Sequence, residues 1–202
     1  MTKLRVGVLI SGRGSNLQAL IDACSSPDFP AQISLVISNV ADAGGLARAA
    51  DAAIPSATIA HGDFDSREAF DKAVDAKLRE AGIEFVCLAG FMRLLSASFT
   101  RSWEGKIVNI HPSLLPAFKG LNVHEQALAA GERVSGCTVH YVVPELDSGP
   151  TILQEEVPVE PNDTPATLAA RVLEAEHRIY PAALRMVAEK RVRLENGSAV
   201  FA

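Results

Sequence analysis

The stretch LRVGVLISGRGSNLQALIDAC, residues 4–24, decides the fold. Its first eight residues form a continuous apolar run, which is typical of a strand buried on both faces of a sheet. The run stops at Gly12, and beyond a glycine-containing loop Leu17, Leu20 and Ile21 recur at helical spacing. The stretch therefore predicts a strand, a glycine loop and a helix.

The same alternation continues along the chain. Apolar runs predict strands at 32–38, 56–59, 85–89, 106–110, 134–142 and 151–157, and periodic runs predict helices at 45–53, from 65 to before Gly82, and from Thr164 onward. Strands that alternate with helices predict parallel βαβ winding. We therefore predict an α/β fold: one domain over residues 1–202 with a single doubly wound, mostly parallel sheet flanked by helices and a Rossmann-like N-terminal half.

Local sequence also predicts how two helices begin and continue. Asp65 and Glu68 are spaced as a capping box, so Asp65 is predicted to cap the third helix. Thr164 followed by Pro165 is typical of a helix start. Pro181 lies well inside the last helix and is predicted to kink or interrupt it, because proline lacks an amide proton.

Composition and charge narrow the functional classes. Of the 202 residues 48% are hydrophobic, but no run approaches the roughly 18 apolar residues of a membrane span. No export signal is expected before the first strand, and three dispersed cysteines favour a reducing compartment. The formal net charge of -5 disfavours nucleic acid as a partner. We therefore expect a cytoplasmic protein that acts on a small anionic molecule, without membrane attachment.

The loop Gly12–Asn16 joins the first strand to a helix, so its backbone amides converge with the positive end of the helix dipole. Glycine allows a phosphate to approach closely, and Ser15 and Asn16 can donate hydrogen bonds to it. The alternative is that Ser15 or Asn16 only caps the helix. A dinucleotide site is disfavoured, because Leu17 replaces the third glycine of that fingerprint and the second strand ends without an acidic residue.

The segment VNIHPSLLP, residues 108–116, carries the strongest chemical signal. Asn109 and His111 lie two residues apart at the end of a predicted strand, so both side chains leave the same face. Pro112 restricts His111 to an extended conformation and helps to end the strand. An amide donor beside an imidazole suits acyl transfer, in which a carbonyl oxygen becomes an oxyanion and a proton must move.

Asp147 is the predicted partner of His111. It lies in the loop PELDSGP, residues 144–150, from which a carboxylate can reach a neighbouring strand end. The alternative is that Asp147 only shapes the turn before Gly149.

The remaining histidines do not predict a metal site. With His111 and Asp147, His140 fits no common pattern of metal ligands, and it alternates along a strand with its neighbours. The other three, His61, His124 and His177, are predicted to be surface or structural residues. We therefore expect no metal.

Four segments resemble one enzyme family, the glycinamide ribonucleotide formyltransferases. They are SGRGSNLQALID (11–22), AGFMRLLS (89–96), NIHPSLLPAFKG (109–120) and GCTVHYVVPELDSGPTILQEEVPV (136–159). The resemblance implies transfer of the formyl group of 10-formyltetrahydrofolate, as co-substrate, to the amine of N1-(5-phosphoribosyl)glycinamide in de novo purine (IMP) biosynthesis. It also implies that residues 1–100 form a nucleotide- and phosphate-binding half, and residues 101–202 a catalytic and folate-binding half.

The resemblance also implies roles for individual residues. The positions that match the substrate-binding residues are Gly14, Ser15 and Asn16 for the phosphate and Glu176 for the ribose. The positions that match the catalytic set are Asn109, His111 and Asp147. The positions that match the folate pocket are Arg67, Met92, Arg93, Leu94, Leu95 and Asn109, with backbone at Val143, Pro144 and Asp147. Arg67 could instead be a solvated surface cation at the start of its helix.

Three other classes of protein share some of these features. A formyltetrahydrofolate hydrolase would carry an added regulatory domain and a methionyl-tRNA formyltransferase a basic tRNA-binding domain, and the chain length is expected to leave no room for either. A non-catalytic nucleotide-binding module would explain the loop Gly12–Asn16 but not Asn109, His111 and Asp147. The sequence leaves open whether the protein is a monomer or homodimer and whether the Leu115–Pro116 bond is cis.

Overall fold

The computed structural model describes residues 2–202. The strands of the main sheet are β1 (Leu4–Ile10), β2 (Ala31–Ser38), β3 (Ser56–Thr58), β4 (Phe85–Leu88), β5 (Ile107–His111), β6 (Val134–Tyr141) and β7 (Thr151–Pro158), and a separate hairpin contains β8 (Val192–Glu195) and β9 (Ser198–Phe201). The helices are α1 (Ser15–Cys24), α2 (Gly44–Asp51), α3 (Arg67–Glu80), α4 (Ala97–Ser102), α5 (Val123–Ala129) and α6 (Pro165–Ala188), with a 3-10 turn at His61–Asp63.

The main sheet has the strand order β3-β2-β1-β4-β5-β6-β7. The strands from β3 to β5 pair in parallel, whereas β6 pairs antiparallel with both β5 and β7. This order confirms the predicted doubly wound, mostly parallel sheet. The winding reverses between β1 and β4, and in sheets of this type ligands bind beyond the carboxyl ends of the strands at that point.

Helices cover both faces of the sheet. On one face α6 packs against α1, β6 and β7 and buries Leu168 and Tyr180. On the opposite face α3 and α4 bury Phe70, Leu78 and Phe99. Because both faces are covered, every residue of β4 is buried, as a continuous apolar run predicts.

The predicted strand and helix limits agree with the structure to within two residues, but the predicted cap of α3 is wrong. Ser66, not Asp65, caps this helix, and its hydroxyl accepts from the amide of Ala69 at 3.1 Å. The helix begins one residue later than the pattern indicated, so Glu68 lies one position too early to complete a capping box.

Of the two effects predicted for Pro181, the interruption of the last helix is wrong, and the kink stays a prediction. The helix α6 runs continuously from Pro165 to Ala188, and Thr164 caps its start with Thr167 as a reciprocal partner. The core positions on either side of Pro181, Tyr180 and Ala183, are buried. Tertiary packing of this apolar face outweighs the hydrogen bond that proline removes, since packing supplies most helix stability in proteins.

The helices α4 and α5, the 3-10 turn at His61–Asp63 and the hairpin of β8 and β9 were not predicted. The two helices have six and seven residues, fewer than the roughly 11 over which a helical period is recognisable. The Leu115–Pro116 bond, left open by the sequence, is cis. Within residues 2–202, no helix combines the length and the apolar character that crossing a bilayer demands.

Candidate active site

A cavity of about 1030 Å³ opens at the ends of β4 and β5. It lies next to the reversal of winding between β1 and β4, at the edge of the sheet where ligands bind in folds of this type. Nine residues predicted for catalysis or folate binding line it: Met92, Arg93, Leu94, Leu95, Asn109, His111, Val143, Pro144 and Asp147. The structure therefore brings residues from three separate segments to one cavity.

His111 and Asp147 meet in this cavity. His111 Nδ1 lies 3.5 Å from Asp147 Oδ2, and both side chains are almost fully buried. The amide of Gly120 donates to the same carboxylate oxygen at 2.9 Å. Asp147 has a φ of 46°, which turns its backbone into the left-handed region and is uncommon for a residue other than glycine. Asp147 thus shapes its turn and also faces the imidazole.

The other ring nitrogen of His111 faces a backbone carbonyl. His111 Nε2 lies 2.9 Å from the oxygen of Phe118, a contact that requires a proton on Nε2. A neutral imidazole carries only one N–H, so in that form Nδ1 would present a lone pair to Asp147. Only an imidazolium donates on both sides, toward Phe118 and toward the carboxylate.

Asn109 is oriented by His140 on the neighbouring strand. His140 Nδ1 lies 2.9 Å from the carbonyl of Tyr141, and burial lowers the pKa of His140, which favours the neutral ring with its proton on Nδ1. His140 Nε2 is then an acceptor, and Asn109 Nδ2 lies 3.3 Å from it. The amide nitrogen of Asn109 is therefore directed across to His140 on β6, and its second proton stays available to a ligand.

The contact between Asn109 and His140 was missed by sequence reasoning. Spacing within a single strand gives no sign of it. The signal lies in the antiparallel register of β5 and β6, which places Asn109 directly opposite His140. His140 Nε2 also lies 3.9 Å from Asp147 Oδ1, so His140 stands between the predicted amide and the predicted carboxylate.

The other three histidines have different environments. His124, predicted to be surface or structural, lines the cavity, and its Nδ1 is buried without a partner among residues 2–202. His177 in α6 has a buried Nε2 that likewise lacks a partner within the described residues. Burial lowers the pKa of both rings. His61 lies outside the cavity and contacts Asn39, whose Nδ2 is 3.1 Å from His61 Nδ1.

The glycine loop lies at the end of β1, beside the cavity-forming strands. Gly14 has a φ of 72°, and a Cβ at this position would lie 2.6 Å from the Cα of Gly45. The amide of Gly45 donates to the carbonyl of Gly12 at 3.0 Å. Gly14 is the N-cap of α1 and no side chain caps the helix, so neither Ser15 nor Asn16 has the purely capping role that was the alternative.

Asn16 and Glu176 are distant in sequence and adjacent in the structure. Asn16 Nδ2 donates to Glu176 Oε2 at 2.7 Å, and both side chains are buried. Burial raises the pKa of Glu176, and the hydrogen bond from Asn16 acts in the opposite direction. Asn16 Oδ1 is buried without a partner among residues 2–202. A buried polar atom of this kind is available to a ligand donor.

The predicted folate residues fall into two groups. Met92 and Leu94 are large apolar side chains with 66% and 53% exposure at the cavity rim, across from Val143 and Pro144. Arg67, in contrast, is exposed at the start of α3 and is not among the cavity-lining residues. Across residues 2–202 no group of three or more His, Cys, Asp or Glu side chains is arranged to hold a metal ion.

Comparison with known proteins agrees with this geometry. Residues 4–184 match the family described as formyl transferase, and the chain belongs to that family. It is 57% identical over 196 residues to the trifunctional purine biosynthetic protein adenosine-3 of Homo sapiens; the match covers 96% of this chain but 19% of that relative, so the chain spans about a fifth of its length.

Two bacterial relatives match along nearly their whole length. The chain is 45% identical over 196 residues to the phosphoribosylglycinamide formyltransferase of Escherichia coli (strain K12), covering 97% of this chain and 92% of that one. The crystal structure of glycinamide ribonucleotide transformylase 1 from Symbiobacterium toebii superimposes with a TM-score of 0.95 at 46% identity, covering 98% of this chain and 94% of that one.

Proposed function

We propose that this chain transfers the formyl group of 10-formyltetrahydrofolate to the amine of N1-(5-phosphoribosyl)glycinamide in de novo purine (IMP) biosynthesis. The observation that carries the proposal is the meeting of Asn109, His111 and Asp147 in a cavity at the same edge of the sheet as the glycine loop that follows β1. The names of the two bacterial relatives support the choice of acceptor.

The phosphoribosyl substrate is assigned to the glycine loop. The backbone of Gly14 and Ser15 opens α1 without a side-chain cap, so free amides and the helix dipole are available to a phosphate. Asn16, the last residue of this loop, contacts Glu176, and Glu176 is suited to accept hydrogen bonds from ribose hydroxyls. His177, next to Glu176, offers a buried ring nitrogen without a partner in the described chain as an additional contact.

The formyl donor is assigned to the cavity rim. The exposed apolar side chains of Met92 and Leu94 suit the flat faces of a pterin, and backbone groups at residues 143 and 144 suit its polar edges. Arg93 and Leu95 complete this wall. Arg67 does not line the cavity, so its proposed contact with the formyl donor requires its side chain to move toward the cavity.

The chemistry is a direct transfer without a covalent enzyme intermediate. The neutral amine attacks the formyl carbon, the carbonyl electron pair moves onto oxygen, and the bond from carbon to N10 then breaks as N10 takes up the proton released by the amine. Asn109 donates to the oxyanion, which is worth about 3–4 kcal/mol for one donor. Alignment of amine and formyl carbon contributes more, on the order of 7–11 kcal/mol.

His111 and Asp147 handle charge and protons in this scheme. The oxyanion takes the place of the Phe118 carbonyl as acceptor of the Nε2 proton, while Asp147 stabilises the positive charge of the ring. The Phe118 carbonyl also accepts from the Ser113 hydroxyl at 3.1 Å, so it keeps a donor when the His111 proton turns to the oxyanion. No metal takes part.

The wider assignments rest on the same site. We propose that residues 1–100 bind the nucleotide and residues 101–202 bind folate and carry the catalysis. The partners are small molecules, with neither nucleic acid nor a membrane, and the location is cytoplasmic. Free thiols at Cys24, Cys87 and Cys137, each with a pKa raised by burial, suit a reducing compartment.

One assay tests the proposal. The purified protein is mixed with 10-formyltetrahydrofolate, with and without the phosphoribosyl amine, and folate release is followed by absorbance. Release that requires the amine supports transfer. Release in water alone would favour a hydrolase, and binding of the nucleotide without any release would favour a non-catalytic module.

A further inference from the structure

Ser11 occupies the junction of the two substrate regions. It directly follows β1 and directly precedes Gly12, the first residue of the glycine loop. Its amide donates to the carbonyl of Gly90, at the start of the segment that carries Met92 and Leu94, at 3.2 Å. Ser11 therefore lies in the crevice between β1 and β4, where the sheet reverses its winding.

The hydroxyl of Ser11 forms part of a directional chain of hydrogen bonds. The amide of Met92 donates to Ser11 Oγ at 2.8 Å, so Ser11 Oγ must direct its own proton elsewhere, and Asn39 Oδ1 receives it at 2.5 Å. This leaves Asn39 Nδ2 as the donor toward His61 Nδ1 at 3.1 Å. Asn39 is only 4% exposed, which keeps water from competing for its amide.

The folate-side segment, residues 90–96, has few other hydrogen bonds, although Phe91 stacks on Phe70 and Leu95 packs against the core. At its far end the amide of Ser96 donates to Asp71 Oδ2 at 2.6 Å, and Asp71 is 2% exposed. Between the two anchors at Met92 and Ser96, residues 93–95 make no backbone hydrogen bond within the described chain. The backbone of this segment at Met92 therefore depends on Ser11, whereas Asp71 and the packing of Phe91 and Leu95 hold the rest of the segment.

The glycine loop, in contrast, is held without the Ser11 hydroxyl. The amide of Gly45 donates to the carbonyl of Gly12 at 3.0 Å, and Arg48 Nε donates to the carbonyl of Arg13 at 2.9 Å. Removal of the Ser11 hydroxyl therefore releases the folate-side segment and leaves the phosphate side in place.

We propose that Ser11, oriented by Asn39 and His61, is a positioning residue that sets the folate-side segment relative to the glycine loop, and thus the formyl carbon relative to the amine. This inference rests on the proposed function for the identity of the two substrates. It predicts an asymmetric defect: the formyl donor is affected and the phosphoribosyl substrate is not.

The test compares Ser11→Ala with Ser11→Thr, which keeps the hydroxyl, and with the matched control Ser38→Ala. Ser38 is the last residue of the neighbouring strand β2 and is buried, but its hydroxyl bonds only to the backbone of Val40. Binding of each substrate is measured separately by calorimetry, and KM and kcat by the absorbance assay. Exchange of the Met92 amide proton is followed by NMR as a readout independent of activity.

Ser11→Ala is expected to weaken donor binding about tenfold, since one hydrogen bond with a buried partner is worth about 1.4 kcal/mol. It should lower kcat, speed Met92 exchange and leave binding of the phosphoribosyl substrate within about twofold. Ser11→Thr should restore Met92 protection and donor binding, and Ser38→Ala should change neither.

Three results would overturn the inference: equal losses for both substrates, unchanged Met92 exchange in Ser11→Ala, or a donor defect as large in Ser38→Ala. These outcomes are distinguishable from failure of the proposed function, because in that case the wild-type protein itself would show no amine-dependent release. The Met92 exchange measurement remains decisive for the anchoring bond in either case.

Discussion

Gly14→Ala tests the assignment of the glycine loop to a phosphate. Gly14 has a φ of 72°, a conformation in which a Cβ costs roughly 1–2 kcal/mol. The new Cβ would also lie 2.6 Å from Gly45 Cα, whereas ordinary contacts begin at 3.4 Å, so one of the two backbones must retreat by about 0.8 Å. Because the atom in the way belongs to the backbone, no change of side-chain rotamer can relieve the clash, and the loop amides must move.

The size of the effect follows from these numbers. A strain of about 1–2 kcal/mol lowers Tm by about 2–8 °C in a chain of this length. A displacement approaching 1 Å in a positioning group costs about 10²-fold in rate. We therefore expect kcat/KM for the phosphoribosyl substrate to fall about 10²-fold, with the KM for the formyl donor nearly unchanged.

The assay is amine-dependent folate release, measured while each substrate is varied in turn, together with thermal melting. Gly62→Ala is the control, since its Cβ would meet no atom within 4 Å and its φ is not positive. A folded Gly14→Ala protein that binds the phosphoribosyl substrate normally would refute the reasoning. So would a defect that falls equally on the formyl donor.

Four other predictions follow from the site. Asn109→Ala should lower kcat about 10²- to 10³-fold with donor binding retained, and a loss below tenfold would argue against an oxyanion role. Asp147→Asn removes the carboxylate 3.5 Å from His111 and should depress kcat and move its pH profile, so an unchanged profile would remove Asp147 from the mechanism. Glu176→Gln keeps an acceptor for the Asn16 amide. Because burial raises the pKa of Glu176, the free energy of unfolding of the wild type falls as pH rises above about 4.5. The variant should therefore have the larger free energy of unfolding at pH 7, measured by urea denaturation. Burial lowers the pKa of His124, His140 and His177 below 6.5. Because the unfolded state then binds more protons, the free energy of unfolding should fall as pH drops through 6.5. His124→Gln should flatten part of this pH dependence, and a slope identical to that of the wild type would contradict the prediction.

Much of the fold was predictable because the signal is local. A strand buried on both faces needs a continuous apolar run, and LRVGVLIS provides it within eight residues. The glycine loop and the face shared by Asn109 and His111 depend on equally short stretches. These features came from the sequence with limits accurate to two residues.

The errors arose where packing competes with local preference. Proline is typical of a helix end, yet α6 continues past Pro181 because packing of its buried face stabilises the helix there. Ser66 and Asp65 are both good caps, and a shift of one residue in the helix start chose Ser66. For α6 the deciding free energy comes from packing against α1, β6 and β7, far away along the chain, whereas the cap of α3 is decided within one turn.

The sequence by itself determined the order of strands and helices, the loop that offers amides to an anion, and the pairing of an amide with an imidazole at one strand end. Only the tertiary structure decided that Asp147 faces His111, that His140 orients Asn109, and that Asn16 meets Glu176 across 160 residues. The reason is physical: periodicity fixes which way a side chain leaves its own element, whereas the groups it meets depend on strand order and register, which the whole core selects together.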